Sequence, residues 1–131
     1  MRLLLDTHIW IDCAAAPASL GRRLKREVAS PRAELWISPI SVWEFLKLSE
    51  RKRLSTRNDP LQSIERMLQA LPIREAPITL EVAREMSVFS LPHRDPADAW
   101  LVATARVNGL VLATRDAKII ASGVVETLAD T

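Results

Sequence analysis

Two kinds of hydrophobic pattern alternate along the chain. Residues 3–5 are an unbroken leucine run with no polar alternation, which predicts a strand covered on both faces at the centre of a parallel sheet. Residues 110–113 form a second fully apolar run of the same kind. Shorter segments predict three further strands, at residues 34–38, 72–76 and 124–126. The charges in the segment at 72–76 favour a sheet edge.

Between these strands, apolar residues recur at helical spacing and polar residues mark the helix ends. The strongest start signal is Asp95 followed by Pro96, which opens the most apolar helix, and Gly109 ends that helix. The predicted helices cover residues 7–15, 20–29, 41–52, 61–71, 80–89 and 96–108, with a short segment at 117–121. The other predicted N-terminal caps are Ser19, Asn58 with Asp59, Thr79, and Ser41, which forms a capping box with Glu44.

Strands and helices alternate throughout, which predicts a parallel sheet between two layers of helices. The chain has 131 residues, the length of one domain, and contains no internal repeat, low-complexity tract or linker. We therefore expect a single α/β domain over residues 1–131.

The composition is that of a globular protein, with 48% hydrophobic residues and a mean hydropathy of +0.04. Cys13 is the only cysteine, so no intrachain disulfide can form, which fits a reducing cytoplasm. Asp6 and His8 interrupt the first apolar run, which therefore does not resemble a signal peptide. No apolar run approaches the length of a membrane span. The net charge of +2 does not by itself indicate a nucleic-acid partner.

Four carboxylates occupy equivalent places beside the predicted strands. Asp6 and Asp116 directly follow apolar strands, while Glu44 and Asp98 lie near the starts of helices. Because the carboxyl ends of parallel strands share one edge, these side chains can converge. Converging carboxylates repel unless a cation compensates, and Mg²⁺ or Mn²⁺ prefers oxygen ligands. Such a site suits phosphoryl chemistry.

Each carboxylate also has a simpler explanation, because Asp and Glu at helix starts cap the backbone. Other chemistries are disfavoured. The chain has neither a phosphate-binding lysine loop nor a dinucleotide fingerprint, and it contains only three glycines. His93, in the loop before Asp95, is either solvated or a substrate contact.

Four stretches, at residues 4–10, 37–44, 91–98 and 112–116, match a known family in order and spacing. On these motifs the chain resembles the PIN-domain ribonucleases, specifically the VapC-type toxins of bacterial type II toxin–antitoxin systems. The resemblance implies a three-layer α/β/α domain with a five-stranded parallel sheet. It also implies an acidic pocket that binds Mg²⁺ or Mn²⁺ and cleaves single-stranded or loop RNA endonucleolytically.

The family's acidic ligands carry over to Asp6, Glu44, Asp98 and Asp116, with Asp95 as an additional acid and Thr114 as the accompanying polar residue. In this arrangement Asp6, Asp98 and Asp116 hold the metal, and Glu44 binds it through water or orients the attacking water. Members of the family usually form homodimers. A cognate VapB-type antitoxin silences them by placing its tail in the active-site groove.

One position departs from the family. Many relatives have Arg directly after the residue equivalent to Asp98, whereas Ala99 and Trp100 follow here.

The basic clusters of the chain either contact phosphates of a nucleic acid or, more simply, form solvated charged faces. Trp43 and Trp100 have apolar neighbours that favour core packing over base stacking. The basic residues considered are Arg22, Arg23, Lys25, Arg26, Lys47, Arg51, Arg94 and Arg115.

Two other functions remain open on the sequence. The first is a PIN-fold RNA-binding or regulatory module without catalysis, although the complete acidic set disfavours it. The second is a phosphoacceptor receiver domain, which requires a lysine at a late strand end that this chain does not provide.

Overall fold

A five-stranded parallel sheet with helices on both faces forms the structure, a computed structural model that describes residues 1–52, 59–92 and 95–130. The strands are β1 (Arg2–Leu5), β2 (Glu34–Ile37), β3 (Ile73–Glu75), β4 (Val111–Thr114) and β5 (Thr127–Ala129). The helices are α1 (Thr7–Ala15), α2 (Arg22–Ala29), α3 (Pro39–Lys52), α4 (Pro60–Ala70), α5 (Leu80–Glu85), α6 (Pro96–Asn108) and α7 (Ala117–Ser122). A short 3₁₀ helix, Pro17–Ser19, follows α1.

The strand order is β3-β2-β1-β4-β5, and every neighbouring pair is parallel. Strand β1 lies at the centre, where Leu4 pairs with Trp36 on one side and with Leu112 on the other. The three-layer α/β/α fold and the central position of β1 are thus confirmed. Strand β3 lies at the edge, as its charges predicted.

Alternate side chains of β1 build two separate cores. Leu3 and Leu5 point to a core shared with α1, α2 and α4, whereas Leu4 points to a core shared with α6 and α7. All three leucines are fully buried, and each contributes about 1.5–3 kcal/mol on burial. Coverage on both faces is the physical reason that β1 has no polar side.

The predicted start of α2, beside the first core, is wrong. Ser19 does not cap α2, because it ends the 3₁₀ helix, where its hydroxyl donates to the carbonyl of Ala16. Gly21 is the residue before α2, and its N–H donates to Asp130 Oδ1 at 2.5 Å. The helix starts later than predicted because the chain is still extended at Leu20, whose side chain is buried in the core.

The last strand and α5 also differ from prediction. Residues 124–126 are not a strand. Val124 and Val125 pack against the second core, and the paired residues of β5 and β4 begin at Thr127. Helix α5 ends at Glu85 and continues as turns rather than to residue 89. The cap at Thr79 is confirmed, since its hydroxyl accepts from the Val82 N–H.

The predicted caps of α4 and α6 agree with the structure. Asp59 caps α4 and Asp95 caps α6, while Gly109 ends α6 in the left-handed region with φ of 61°. No described helix has the length and apolar character needed to cross a membrane. Asn58, His93 and Arg94 lie outside the described residues.

Candidate active site

Asp6 stands where β1 ends and α1 begins, at the carboxyl edge of the sheet. Asp6 is only 8% exposed, so a carboxylate is buried directly after an apolar leucine run. Oδ1 accepts a hydrogen bond of 2.7 Å from the Thr7 N–H, which makes Asp6 the N-cap of α1. The simpler capping role is therefore real, but it uses only one carboxylate oxygen.

The second oxygen of Asp6 is held by the neighbouring strand. The hydroxyl of Thr114, the last residue of β4, donates to Asp6 Oδ2 at 2.6 Å. The same hydroxyl accepts from the Asp116 N–H at 3.1 Å, so one buried threonine connects two of the predicted site residues. Asp116 in turn caps α7 by accepting from the N–H groups of Lys118 and Ile119.

A second hydroxyl, that of Thr7, connects α1 to α3. Thr7 Oγ1 lies 2.5 Å from Glu44 Oε1 and 2.9 Å from Ser41 Oγ. The predicted capping box between Ser41 and Glu44 is wrong, because α3 begins two residues before Ser41. Ser38 takes the capping role, since its hydroxyl accepts from the Ile40 N–H. Ser41 and Glu44 are thus free to face Thr7 across the helix interface.

Glu44 lies in a negative environment. Burial is the largest cause that raises its pKa, and the charges of Asp6 and Asp95 raise the pKa further. The hydrogen bond from Thr7 and the proximity of His8 oppose this rise. The like-charge effect shows that carboxylates from β1, α3 and the start of α6 gather at one edge.

The start of α6 contributes the remaining acids. Asp95 is exposed and caps the helix by accepting from the Ala97 N–H at 3.0 Å. Asp98, in the first turn, is 9% exposed and lies beside the fully buried part of the helix. Helix α6 packs against α3, which carries Glu44.

The donor chemistry of this edge fits a hard divalent cation. Every candidate ligand atom is a carboxylate or hydroxyl oxygen, which such a cation prefers. The charges of Asp6 and Asp95 also make the surroundings of Glu44 more negative. Within the described ranges 1–52, 59–92 and 95–130, no three His, Cys, Asp or Glu side chains are spaced as a ready-made metal site. Two threonine hydroxyls therefore connect Asp6, Asp116 and Glu44 to neighbouring elements, while Asp95 and Asp98 stand at the start of α6.

A polar groove of about 880 Å³ opens beside Glu44. Its lining includes His8, Trp43, Glu44, Lys47, Arg51 and Asp95. The expectation that Trp43 packs in the core is wrong, because the residue is 51% exposed and lines this groove. Trp100 is only partly buried.

The side chain of Arg115 forms ion pairs with two acidic residues, which indicates a structural role. Its Nη2 donates to Asp12 Oδ2 at 2.6 Å and to Asp130 Oδ2 at 2.7 Å. These ion pairs join the turn after β4 to α1 and to the end of β5. The four cations of α2 (Arg22, Arg23, Lys25 and Arg26) are all exposed, which agrees with a solvated face.

Thr7, Ser41 and the network of Asp12, Arg115 and Asp130 were not identified from sequence. The position of Thr7 directly after Asp6 was the only signal for the first, because a residue after a central strand shares its edge. Ser41 is 34 positions from its partner Thr7, and Arg115 is 103 positions from Asp12 and 15 from Asp130, so no local pattern predicts these contacts.

Comparison with known proteins gives one family match. A family model described as PIN domain matches residues 3–122 of the chain. Comparison with curated protein sequences finds no match.

Solved structures with the same fold cover nearly the whole chain. VapBC2 from Rickettsia felis, bound to a DNA fragment from its promoter, aligns with a TM-score of 0.72, 14% identity and 98% coverage of each chain. A toxin–antitoxin complex from Klebsiella pneumoniae aligns with a TM-score of 0.62, 23% identity and 98% coverage of each chain. VapC20 from Mycobacterium tuberculosis, a sarcin–ricin loop cleaving toxin, aligns at 0.65 with 20% identity, covering 95% of this chain and 97% of the other. At these identities the similarity shows the fold.

Proposed function

The chain belongs to the PIN domain family, and on this basis we propose that it is a metal-dependent endoribonuclease, the toxin of a type II toxin–antitoxin module. The family match confirms the resemblance found in the sequence motifs. We further propose that residues 1–131 act as one PIN-like nuclease domain.

The observation that carries the proposal is the pair of threonine links at the carboxyl edge of the sheet. Thr114 holds Asp6 and Thr7 holds Glu44, each through a hydrogen bond between elements distant in sequence. A capping role alone does not require either link. Crowding carboxylates against their mutual repulsion costs stability, which favours a functional reason for the arrangement.

In the proposed mechanism, Asp6, Asp98 and Asp116 hold the cation, and Asp95 adds to the negative potential. A bound Mg²⁺ or Mn²⁺ would supply polarisation of the scissile phosphate and activation of the attacking water. Thr114 fixes the orientation of the Asp6 carboxylate.

Glu44 is proposed to orient the attacking water for in-line displacement at phosphorus. Thr7 Oγ1 bonds to its Oε1, which leaves Oε2 to accept a hydrogen bond from that water. The partly exposed position of Glu44 in the groove allows solvent to reach it.

RNA is the proposed substrate, and a VapB-type antitoxin is the proposed protein partner. Solved structures that share the fold are toxin–antitoxin complexes, and one is a toxin that cleaves the sarcin–ricin loop. Helix α3 carries the polar groove on one side and, on another, Pro39 and Val42 of an apolar groove of about 420 Å³. An antitoxin segment could cover both grooves and block the site. The protein is proposed to form a homodimer or, with its antitoxin, a hetero-oligomer in the cytoplasm.

The test is cleavage of a mixed pool of structured RNAs by the purified protein with Mg²⁺ or Mn²⁺. EDTA and the Asp6→Asn variant should each abolish cleavage. Asp59→Asn is a matched control, because Asp59 also caps a helix but lies outside the site. Cleavage that survives Asp6→Asn would contradict the assigned site.

The alternative function is an RNA-binding or regulatory PIN module without catalysis. RNA binding by a folded, metal-binding protein that never cleaves, after removal of any co-purified antitoxin, would favour it. Growth arrest on expression, relieved by a co-expressed antitoxin, would favour the toxin.

A further inference from the structure

Trp43 differs from the other tryptophans of the chain in its surroundings. Trp10 is fully buried and Trp36 is partly buried against the second core. Trp43 is 51% exposed and lines the polar groove directly beside Glu44. Other large apolar side chains, such as Leu61, are as exposed, but Trp43 lies in the polar groove beside Glu44, where a ligand would cover its ring.

Cations accompany this exposed ring along the same helix. Lys47 Nζ lies 5.7 Å from the centroid of the Trp43 ring, one helical turn away, in the geometry of a cation–π contact. Arg51 lines the same groove one turn further on. An indole ring has two faces, and the ammonium group occupies only one of them.

We propose that Trp43 is a stacking platform for an unpaired base of the RNA substrate, next to the cleaved phosphodiester, and that Lys47 and Arg51 contact the adjoining phosphates. The inference rests on the proposed function and names the part of that site that selects the substrate class. An aromatic face interleaved with cations is the general chemistry of single-strand recognition.

The arrangement favours single strands over duplexes. A base in a duplex is stacked between its neighbours, so only an unpaired base can leave the strand and lie on the indole. The groove is open and polar. Lys47 and Arg51 line it from α3, where Glu50 pairs with Lys47, and Glu44 and Asp95 line it as well. A strand can therefore place its phosphates along α3 and one phosphodiester at the carboxylates.

The experiment measures binding separately from cleavage, in the Asp6→Asn background, by fluorescence anisotropy. The two probes are a mixed-sequence single-stranded oligoribonucleotide and a strand of equal length made of abasic spacers. Trp43→Ala should weaken binding of the base-bearing strand about 5- to 100-fold and leave the abasic strand unchanged. Trp43→Phe should retain most of the affinity.

Two further variants separate stacking from other roles. Leu61→Ala removes an apolar side chain of similar exposure, 59%, outside the groove, and should leave both probes unchanged. Lys47→Met should reduce the slope of log affinity against log salt by about 0.7 on either probe. Thermal unfolding checks that each variant is folded.

Three results would overturn the inference. Trp43→Ala could leave the affinity for both probes unchanged, it could weaken the affinity for both probes equally, or the base-bearing strand could fail to bind at all. Loss of self-association in Trp43→Ala with unchanged RNA binding would assign the ring to a protein contact instead. Cleavage of the RNA pool by the unmodified protein is scored separately. Absence of cleavage would contradict the proposed function. Cleavage by the unmodified protein, together with unchanged RNA affinity in the Trp43→Ala variant, would contradict the stacking platform alone.

Discussion

The hydroxyl of Thr114 donates a hydrogen bond of 2.6 Å to the carboxylate of Asp6, joining residues 108 positions apart in the sequence. Strands β1 and β4 are neighbours in the sheet, with Leu5 paired to Ala113. The residues that directly follow this pair are Asp6 and Thr114. Parallel register therefore delivers a carboxylate and its donor to the same place at the end of the two central strands.

Removing this donor should damage the site more than the core. Thr114→Val keeps the shape of the buried side chain but leaves Asp6 Oδ2 and the Asp116 N–H without their shared partner. We expect the free energy of unfolding to fall by about 1–3 kcal/mol, and RNA cleavage to fall at least about tenfold, the effect of about 1.4 kcal/mol in the barrier. Chemical denaturation and cleavage rates measure the two effects.

Thr114→Ser is the matched control, because it keeps the hydroxyl and loses only a methyl group. It should recover most of the cleavage rate. A Val variant as active as the Ser variant would show that the hydrogen bond does not position Asp6.

Neutralising Glu44 should stabilise the folded protein while it removes activity. The pKa of Glu44 is raised above its ordinary value of 4.5, chiefly by burial and then by Asp6 and Asp95. Above pH 4.5 the folded state therefore binds more protons than the unfolded state, and stability falls as pH rises toward the folded pKa. At pH values below 4.5 Glu44 is protonated in both the folded and the unfolded state, so its charge no longer destabilises the fold.

The stability of Glu44→Gln, measured in EDTA, should exceed that of the unmodified protein at neutral pH. The difference should shrink as the pH is lowered toward 4.5. Denaturation curves at several pH values provide the measurement. A difference that instead grows on acidification would contradict the assigned direction of the pKa.

A bound cation should stabilise the protein through the acidic edge. At a concentration about 100 times the dissociation constant, Mg²⁺ or Mn²⁺ should add about 2.7 kcal/mol to the free energy of unfolding. Asp6→Asn should lose most of this increment, while the helix cap is retained because Asn caps as well as Asp. Thermal unfolding with and without the metal measures the effect.

Asp59→Asn again serves as the control, since it changes a cap of the same kind on α4. Mg²⁺ or Mn²⁺ should stabilise this variant as much as the unmodified protein. An equal increase in stability for Asp6→Asn and Asp59→Asn would show that the cation does not bind at Asp6.

Arg115 should contribute to stability through its two ion pairs. The Arg115 side chain is 43% exposed, which limits the strength of each pair, but the Asp130 side chain is only 7% exposed. Arg115→Ala should lower the free energy of unfolding by about 1 kcal/mol. Part of this loss should disappear at high salt because exposed charges are screened.

Arg115→Lys should be intermediate, since one ammonium group cannot reproduce the planar geometry of the guanidinium. Urea unfolding at low and high salt provides the comparison. An Ala variant as stable as the unmodified protein would show that the ion pairs contribute nothing.

Much of the fold could be predicted because its signals are local. The leucines of β1 indicate a strand covered on both faces, and the Asp95–Pro96 pair indicates the start of α6. The errors arose where a local signal competed with a tertiary one. Ser41 and Glu44 have the spacing of a capping box, yet Ser38 caps α3, and the side chains of Ser41 and Glu44 contact Thr7 of α1 instead.

The sequence by itself determined the order of strands and helices and the candidate carboxylates, because periodicity, helix caps and the resemblance of four short stretches are all readable along the chain. Only the tertiary structure decided which hydroxyls hold those carboxylates and which tryptophan is exposed. The bonds from Thr114 to Asp6 and from Thr7 to Glu44 depend on the pairing of strands and the packing of helices. Trp43 follows Val42 in an apolar stretch, and only the packing of α3 among α1, α4 and α6 leaves its ring in the groove.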